Sequence, residues 1–163
     1  MEEDLTKMNN SDLTNKLFSA FAESSDIYRH LYLYEASAQV KAAAEQCIKE
    51  YRNAHPNSSV CRFTGASFVD AVIQTCAGFA ARFIHANSSF ITLLSQCNML
   101  VIEGIEDLAG KQASMEKLYI ILDKRLELGL PFLITGNTTP SAIPDLAPRI
   151  AAILDGSLIW ELS

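Results

Sequence analysis

No apolar run in this chain approaches the ~18 residues that a membrane-spanning helix needs, so no membrane association is expected. Basic residues are also sparse. Thirteen Lys and Arg stand against nineteen Asp and Glu, for a net charge of −6. They occur singly or in pairs such as Lys124-Arg125, never as a cluster. Nucleic-acid affinity comes mostly from Lys and Arg on phosphates, so direct nucleic-acid binding is disfavoured. The first residues, Met1-Glu2-Glu3-Asp4, lack the basic start and apolar stretch of an export signal. A cytoplasmic location is the resulting expectation.

Catalytic and metal motifs are missing as well. The four cysteines, Cys47, Cys61, Cys76 and Cys97, show neither C-x-x-C nor zinc-knuckle spacing. Cys61 follows Val60 and Cys76 precedes Ala77, and all four read as buried, reduced thiols. His30, His55 and His85 are far apart, and no H-E-x-x-H or G-x-S-x-G occurs. No metal and no hydrolytic constellation is expected.

What is present is an alternation of short apolar runs and helical patterns. At 163 residues the chain fits one domain with a real core. Leu13, Leu17, Phe18 and Phe21 make a helical stripe within Asp12–Ser24. Leu31–Tyr34, Ser59–Phe63, Met99–Ile102, Pro131–Thr135 and Ser157–Leu162 read as strands. Helices are predicted over Ser37–Asn53, from a Thr64 or Ser67 cap through Phe68, Val72, Cys76, Phe79 and Phe83, and over Phe90–Gln96. Another carries Met115, Leu118, Tyr119, Leu122 and Leu126 on one face and ends at Gly129. Ala142–Leu154 reads as a short helix interrupted by Pro144 and Pro148. Strands alternating with helices imply a mostly parallel sheet covered on both faces, and the unbroken apolar run Met99–Ile102 marks its centre.

Four segments carry a family resemblance. Leu31-Tyr32-Leu33-Tyr34 leads into Glu35–Ala42, and Met99-Leu100-Val101-Ile102-Glu103-Gly104 leads into Ala109-Gly110-Lys111. Leu133-Ile134-Thr135-Gly136-Asn137 leads into Thr138-Thr139-Pro140, and Ile143-Pro144-Asp145-Leu146 into Ala147-Pro148-Arg149-Ile150. In order and spacing these resemble the phosphate loop, Walker B strand, sensor strand and arginine-finger segment of bacterial replication-initiator ATPases of the DnaA and Hda type. The resemblance implies an AAA+ P-loop NTPase-like fold, a three-layer αβα sandwich with a five-stranded, mostly parallel sheet. The strand ending at Ile102 is expected between Leu31–Tyr34 and Pro131–Thr135. The expected division is an N-terminal helical extension over residues 1–27 and a degenerate α/β domain over 28–163, with neither the family's lid nor its DNA-binding domain.

Glycine is scarcest where that family's chemistry needs it. A phosphate loop reads G-x-x-x-x-G-K-[ST], its glycines turning backbone N–H groups onto phosphate and its hydroxyl meeting Mg²⁺. The corresponding positions are Glu35, Val40, Lys41 and Ala42, so only the lysine remains. Val40 resists the left-handed backbone that glycine allows, and Glu35 adds an anion to an anion site. Glu103 matches the first Walker B acid, and Gly104 stands at the catalytic one. Glu103 reads as a strand-end carboxylate facing solvent. Asn137, at the sensor position, also reads as a plain turn residue. No nucleotide or other cofactor is expected, and no enzymatic activity.

Arg149 stands at the arginine-finger position beside Asp145. The second basic residue that many members carry four positions later is Ile153 here. The implied function is a catalytically inactive DnaA/Hda-like protein regulating replication initiation through protein contacts. Arg149 and Asp145 are its candidate interaction residues. The partner is an initiator-like AAA+ protein, a replication component or a second copy of the chain. A divergent ATPase with a rewired loop is the alternative. The Gln-Leu clamp-binding stretch of Hda-type regulators is not found in Met1–Ser25.

Overall fold

The computed structural model describes residues 10–23, 29–35, 39–76 and 89–162. In chain order these form α1 (Asn10–Ala22), β1 (His30–Tyr34), α2 (Gln39–Ala54), β2 (Val60–Thr64) and α3 (Gly65–Cys76). A short helix over 89–96 follows as α4. Then come β3 (Met99–Glu103), α5 (Gln112–Leu128), β4 (Phe132–Gly136), α6 (Pro148–Asp155) and β5 (Leu158–Glu161). Two 3-10 turns, Ile105–Leu108 and Pro140–Ala142, follow β3 and β4. None of the described helices is long and apolar enough to cross a membrane.

Successive strand residues point to opposite faces of a sheet, and the core divides accordingly. Tyr32, Leu100, Ile102, Phe132 and Ile134 face one side, where Phe68 of α3, Leu118 and Leu122 of α5 and Ile150 of α6 cover them. Leu31, Leu33, Met99, Val101 and Leu133 face the other side, against Phe18 and Phe21 of α1 and Ile48 and Tyr51 of α2. The result is the expected three-layer αβα arrangement around a five-stranded sheet, and every recorded strand pairing is parallel.

The strand order corrects one expectation. It runs β2-β3-β4-β1-β5, so β3 lies between β2 and β4, while β1 lies between β4 and β5. The strand ending at Ile102 therefore does not touch Leu31–Tyr34. Apolarity reports burial, and β1, β3 and β4 are all buried on both faces. It carries no information about which buried strand is whose neighbour.

Local signals fared better. Thr64 and Ser67 form a reciprocal capping box at the start of α3, with Ser67 N donating to Thr64 Oγ1 at 3.0 Å and Thr64 N to Ser67 Oγ at 2.9 Å. Gly129 ends α5 in the left-handed region, at φ 67°. Phe79 and Phe83, assigned to the far end of α3, lie outside the described residues, as do the side chains of Leu13 and Cys76. The interrupted helix over Ala142–Leu154 is instead the 3-10 turn at Pro140–Ala142, a second turn at Pro144-Asp145 and α6 from Pro148. Proline favours the first helical position and breaks a helix interior.

The face of α5 also differs from its apolar reading. Leu126 is exposed, whereas Arg125 is wholly buried. Its Nη1 donates to Leu94 O at 2.9 Å and Cys97 O at 2.7 Å; its Nη2 donates to Asn98 O at 3.2 Å and Pro131 O at 2.6 Å. One guanidinium thus gathers the end of α4 and the approaches to β3 and β4. Burial lowers its pKa from the ordinary arginine value.

Candidate functional site

The carboxyl ends of β1, β3 and β4 open into a cleft of about 360 Å³. Ligands of open α/β sheets characteristically bind outside the carboxyl ends of the strands. Glu35, Val40, Lys41, Glu103, Gly104 and Asn137 line it, joined by Thr64, Glu106, Asp107, Thr135 and Gly136. The structure therefore assembles the phosphate-loop, Walker B and sensor positions named from the sequence. Ala42 is the exception, lying on an exposed part of α2. Residues 36–38, the middle of the loop, lie outside the described residues.

Backbone contacts fix the floor. Gly104 N donates to Thr135 O and to Thr135 Oγ1, each at 3.1 Å, which ties the end of β3 to β4. Glu35 N donates to Gly136 O at 3.3 Å and ties β1 to the same strand. Tyr32 Oη donates to Thr138 O at 2.7 Å and holds the turn that carries Asn137. Burial raises the Tyr32 phenol well above its ordinary pKa, so it stays a donor. Gly136 is required beside it, because a Cβ there would collide with the Tyr32 hydroxyl.

The cleft is acidic. Four carboxylates, Glu35, Glu103, Glu106 and Asp107, line it against the single ammonium of Lys41. One oxygen each of Glu35 and Glu106 is shielded from solvent without a hydrogen-bond donor. At about 4 Å two like charges repel by about 4 kcal/mol in a partly buried setting. A polyphosphate entering here would meet that repulsion without a described glycine loop to offset it.

Glu103 corrects a second expectation. Its side chain is only 14% exposed, and it does not extend freely into solvent. Arg62 of β2 grips it bidentately, Nε on Oε2 at 2.9 Å and Nη2 on Oε1 at 3.2 Å. Glu45 of α2 adds a contact at 3.6 Å. The Glu103 carboxylate raises the Arg62 pKa above its ordinary value. Both oxygens of Glu103 are thus engaged by a cation. Among the described residues, no group of three or more His, Cys, Asp and Glu is placed to hold a metal ion.

Gly104 has a structural reason to be glycine. Its φ is 76°, in the left-handed region that a residue with a Cβ adopts at a cost of about 1–2 kcal/mol. Its carbonyl also lies so close to Gly65 that a Cβ at Gly65 would run into it. The start of α3 is seated directly on the end of β3.

Arg149 and Asp145 lie outside the cleft. Arg149, exposed in the first turn of α6, places its Cζ 5.4 Å from the centre of the Tyr119 ring of α5, a cation–π distance. Asp145 has φ 61° and accepts the Gly110 N–H through its carbonyl at 3.0 Å. Its backbone therefore pins the Ala109-Gly110 loop, a structural role that its position in the sequence did not reveal. Arg62 was the principal site residue missed. It faces Glu103 only because β2 borders β3, which the expected strand order did not include.

Comparison with known proteins agrees with this architecture. The family model described as the bacterial DnaA ATPase domain matches residues 7–161. The chromosomal replication initiator protein DnaA of Zymomonas mobilis is 23% identical over 155 residues, covering 94% of this chain and 31% of that protein. The DnaA of Sphingopyxis alaskensis is 21% identical, covering 83% and 29%. The chain therefore spans about a third of the length of these relatives. AMPPCP-bound DnaA from Aquifex aeolicus superimposes with a TM-score of 0.81 at 12% identity, over 96% of this chain and 47% of that one. Domain III of Thermotoga maritima DnaA does so at 0.78 and 17%, over 94% and 62%. At these identities the structural likenesses speak for the fold, while the sequence match over residues 7–161 settles membership: the chain belongs to the bacterial DnaA ATPase-domain family.

Proposed function

We propose that this chain is a catalytically inactive member of its family that acts through protein–protein contacts, in the regulation of replication initiation in the cytoplasm. The observation that carries the reading is the Arg62–Glu103 pair. In an active site of this type the first Walker B acid holds the Mg²⁺ shell; here both its oxygens accept from a guanidinium. Gly104, Val40 and Ala42 supply neither the second acid nor the flexible, hydroxyl-bearing loop. Glu35 adds repulsion where phosphate would sit.

Calorimetric titration tests the chemical half of this reading. With Mg²⁺ present, ATP and ADP at millimolar concentration are expected to release no binding heat and to leave the melting temperature unchanged. A micromolar dissociation constant, lost in Lys41→Ala, would show that the cleft works as a rewired nucleotide site and would favour the divergent ATPase.

The interaction half rests on the segment from Pro144 to Arg149. In the family this segment faces the adjacent subunit. Here Arg149 is exposed and its guanidinium is oriented by Tyr119, ready to meet a carboxylate or phosphate bidentately. The partner is an initiator-like AAA+ protein, a replication component or a second copy. Arg149→Glu is expected to weaken that association by about tenfold or more, since truncating a docked charge costs about 2–5 kcal/mol. Light scattering and pull-down report the association, with circular dichroism as the control for folding. Unchanged association with every partner found, self included, would place the interface elsewhere.

A further inference from the structure

The acidic cleft has a geometry as well as a sign. Gly104 leaves open space beside the end of β3. A Cβ there would stand 3.6 Å from Glu106 Oε1 and 3.7 Å from Asp107 Oδ2, with nothing nearer. Two carboxylates therefore converge on one vacant spot. Glu35 lies at the end of β1, and β4 runs between β1 and β3. Two strand spacings of about 4.8 Å put the two acidic ends on the order of 10 Å apart. Glu103, between them and β2, is already satisfied by Arg62. Glu35, Glu106 and Asp107 take part in no ion pair among the described residues.

The unmet demand is for donors. Oε2 of Glu35 and Oε2 of Glu106 are shielded from solvent without one, whereas shielded acceptors in folded chains are nearly always paired. An anion would add to the repulsion, and a neutral ligand would leave the charge in place. A bare divalent ion needs several oxygens around one point, and no such group of side chains exists among the described residues. An organic cation meets each requirement: it brings N–H donors, offsets charge and can span two separated acidic ends. The cleft, at about 360 Å³, is within the size range of small-ligand sites.

We propose that the cleft receives an elongated organic cation with two positive groups. One group enters over Gly104 and donates to Glu106 and Asp107; the other donates to Glu35. The ligand is a linear polyamine or a pair of basic side chains on one peptide, which share this chemistry. The proposal rests on the reading of the cleft as closed to nucleotide, and it names what the same cleft accepts instead. Lys41, the one ammonium in the lining beyond the engaged Arg62, opposes the ligand. It therefore has the reverse of the role that a lysine has beside phosphate.

The test is calorimetric titration of the intact chain at low ionic strength. The probes are spermidine, a short peptide with two arginines, and tetramethylammonium chloride as a cation without donors. Saturable binding is expected for at least one of the first two and none for the third. Glu35→Gln and Glu106→Gln should each weaken it on the order of tenfold, the loss of one charged hydrogen bond. Glu127→Gln, at an exposed carboxylate on α5, should leave it unchanged, and Lys41→Ala should strengthen it. Circular dichroism controls for folding. Tighter binding of spermidine would identify a free polyamine, and tighter binding of the peptide a protein partner; either order supports the site. A response equal to that of tetramethylammonium, indifference to both glutamine variants, or weakening by Lys41→Ala would overturn the proposal. Binding of ATP would instead overturn the reading on which it rests, whereas binding of neither ATP nor cation would remove this inference alone.

Discussion

Replacing Arg125 by Met is expected to destabilise the chain by about 3–5 kcal/mol, measured as a fall in the urea midpoint at unchanged slope. Two effects oppose each other. Removing a buried charge relieves its desolvation, and exchanging a complete buried polar group for apolar side chains is often neutral. The exchange is incomplete here, however. The carbonyls of Leu94, Cys97, Asn98 and Pro131 remain in place and lose their shared donor. An unsatisfied buried acceptor costs about 1–3 kcal/mol; Pro131 O keeps the Leu100 N–H at 3.4 Å and Leu94 O the Cys97 thiol at 3.7 Å, while Cys97 O and the part-buried Asn98 O are left without a donor, so the loss still outweighs the relief. Arg125→Lys should recover only part of the difference, since an ammonium cannot reproduce the planar fork that reaches three chain segments. A loss below about 1 kcal/mol for Met would mean that these carbonyls find other donors, and the tethering role would be wrong.

The second large effect is expected at Ile102. It is fully buried in a strand flanked on both sides, beneath Phe68, Leu118 and Ile134. Ile102→Ala removes three carbons from a packed site whose neighbouring backbone cannot collapse inward without breaking the sheet. Transfer and cavity contributions together give about 2–4 kcal/mol. Ile73, 58% exposed on α3, is the internal comparison. Its truncation should lie within about 0.5 kcal/mol of neutral. Equal effects at the two positions would contradict the central placement of β3.

Much of this architecture can be read directly from the chain. Met99–Ile102 has no polar residue in it, and only a strand covered on both faces sustains that. The Thr64–Ser67 pair and Gly129 mark helix ends through backbone chemistry that acts within a few residues. The cleft positions follow from the spacing of Glu35–Ala42, Glu103-Gly104 and Asn137 relative to the strand ends. What escaped depends on residues distant in sequence. Arg62 and Glu103 are 41 positions apart and meet only through the β2–β3 pairing. Arg125 had a usable local signal. It falls three and four residues beyond Leu122 and Ile121, on the same stripe as the buried Leu118. Counting it only as one of a basic pair with Lys124 left that periodicity unused.

The close approach of Gly65 and Gly104 bears on whether an acid could stand at position 104. An acid at position 104 would need a backbone other than the left-handed one now present, or would bear its strain. Its first side-chain carbon would come near the carboxylates of Glu106 and Asp107, at 3.6 and 3.7 Å, so the new charge would enter beside two of its own sign. Turning the 104 peptide the other way would take its carbonyl from the Asp107 N–H, which it accepts at 3.1 Å. Position 104 is thus fitted to its glycine: an acid there would carry the backbone strain and the repulsion of Glu106 and Asp107 together.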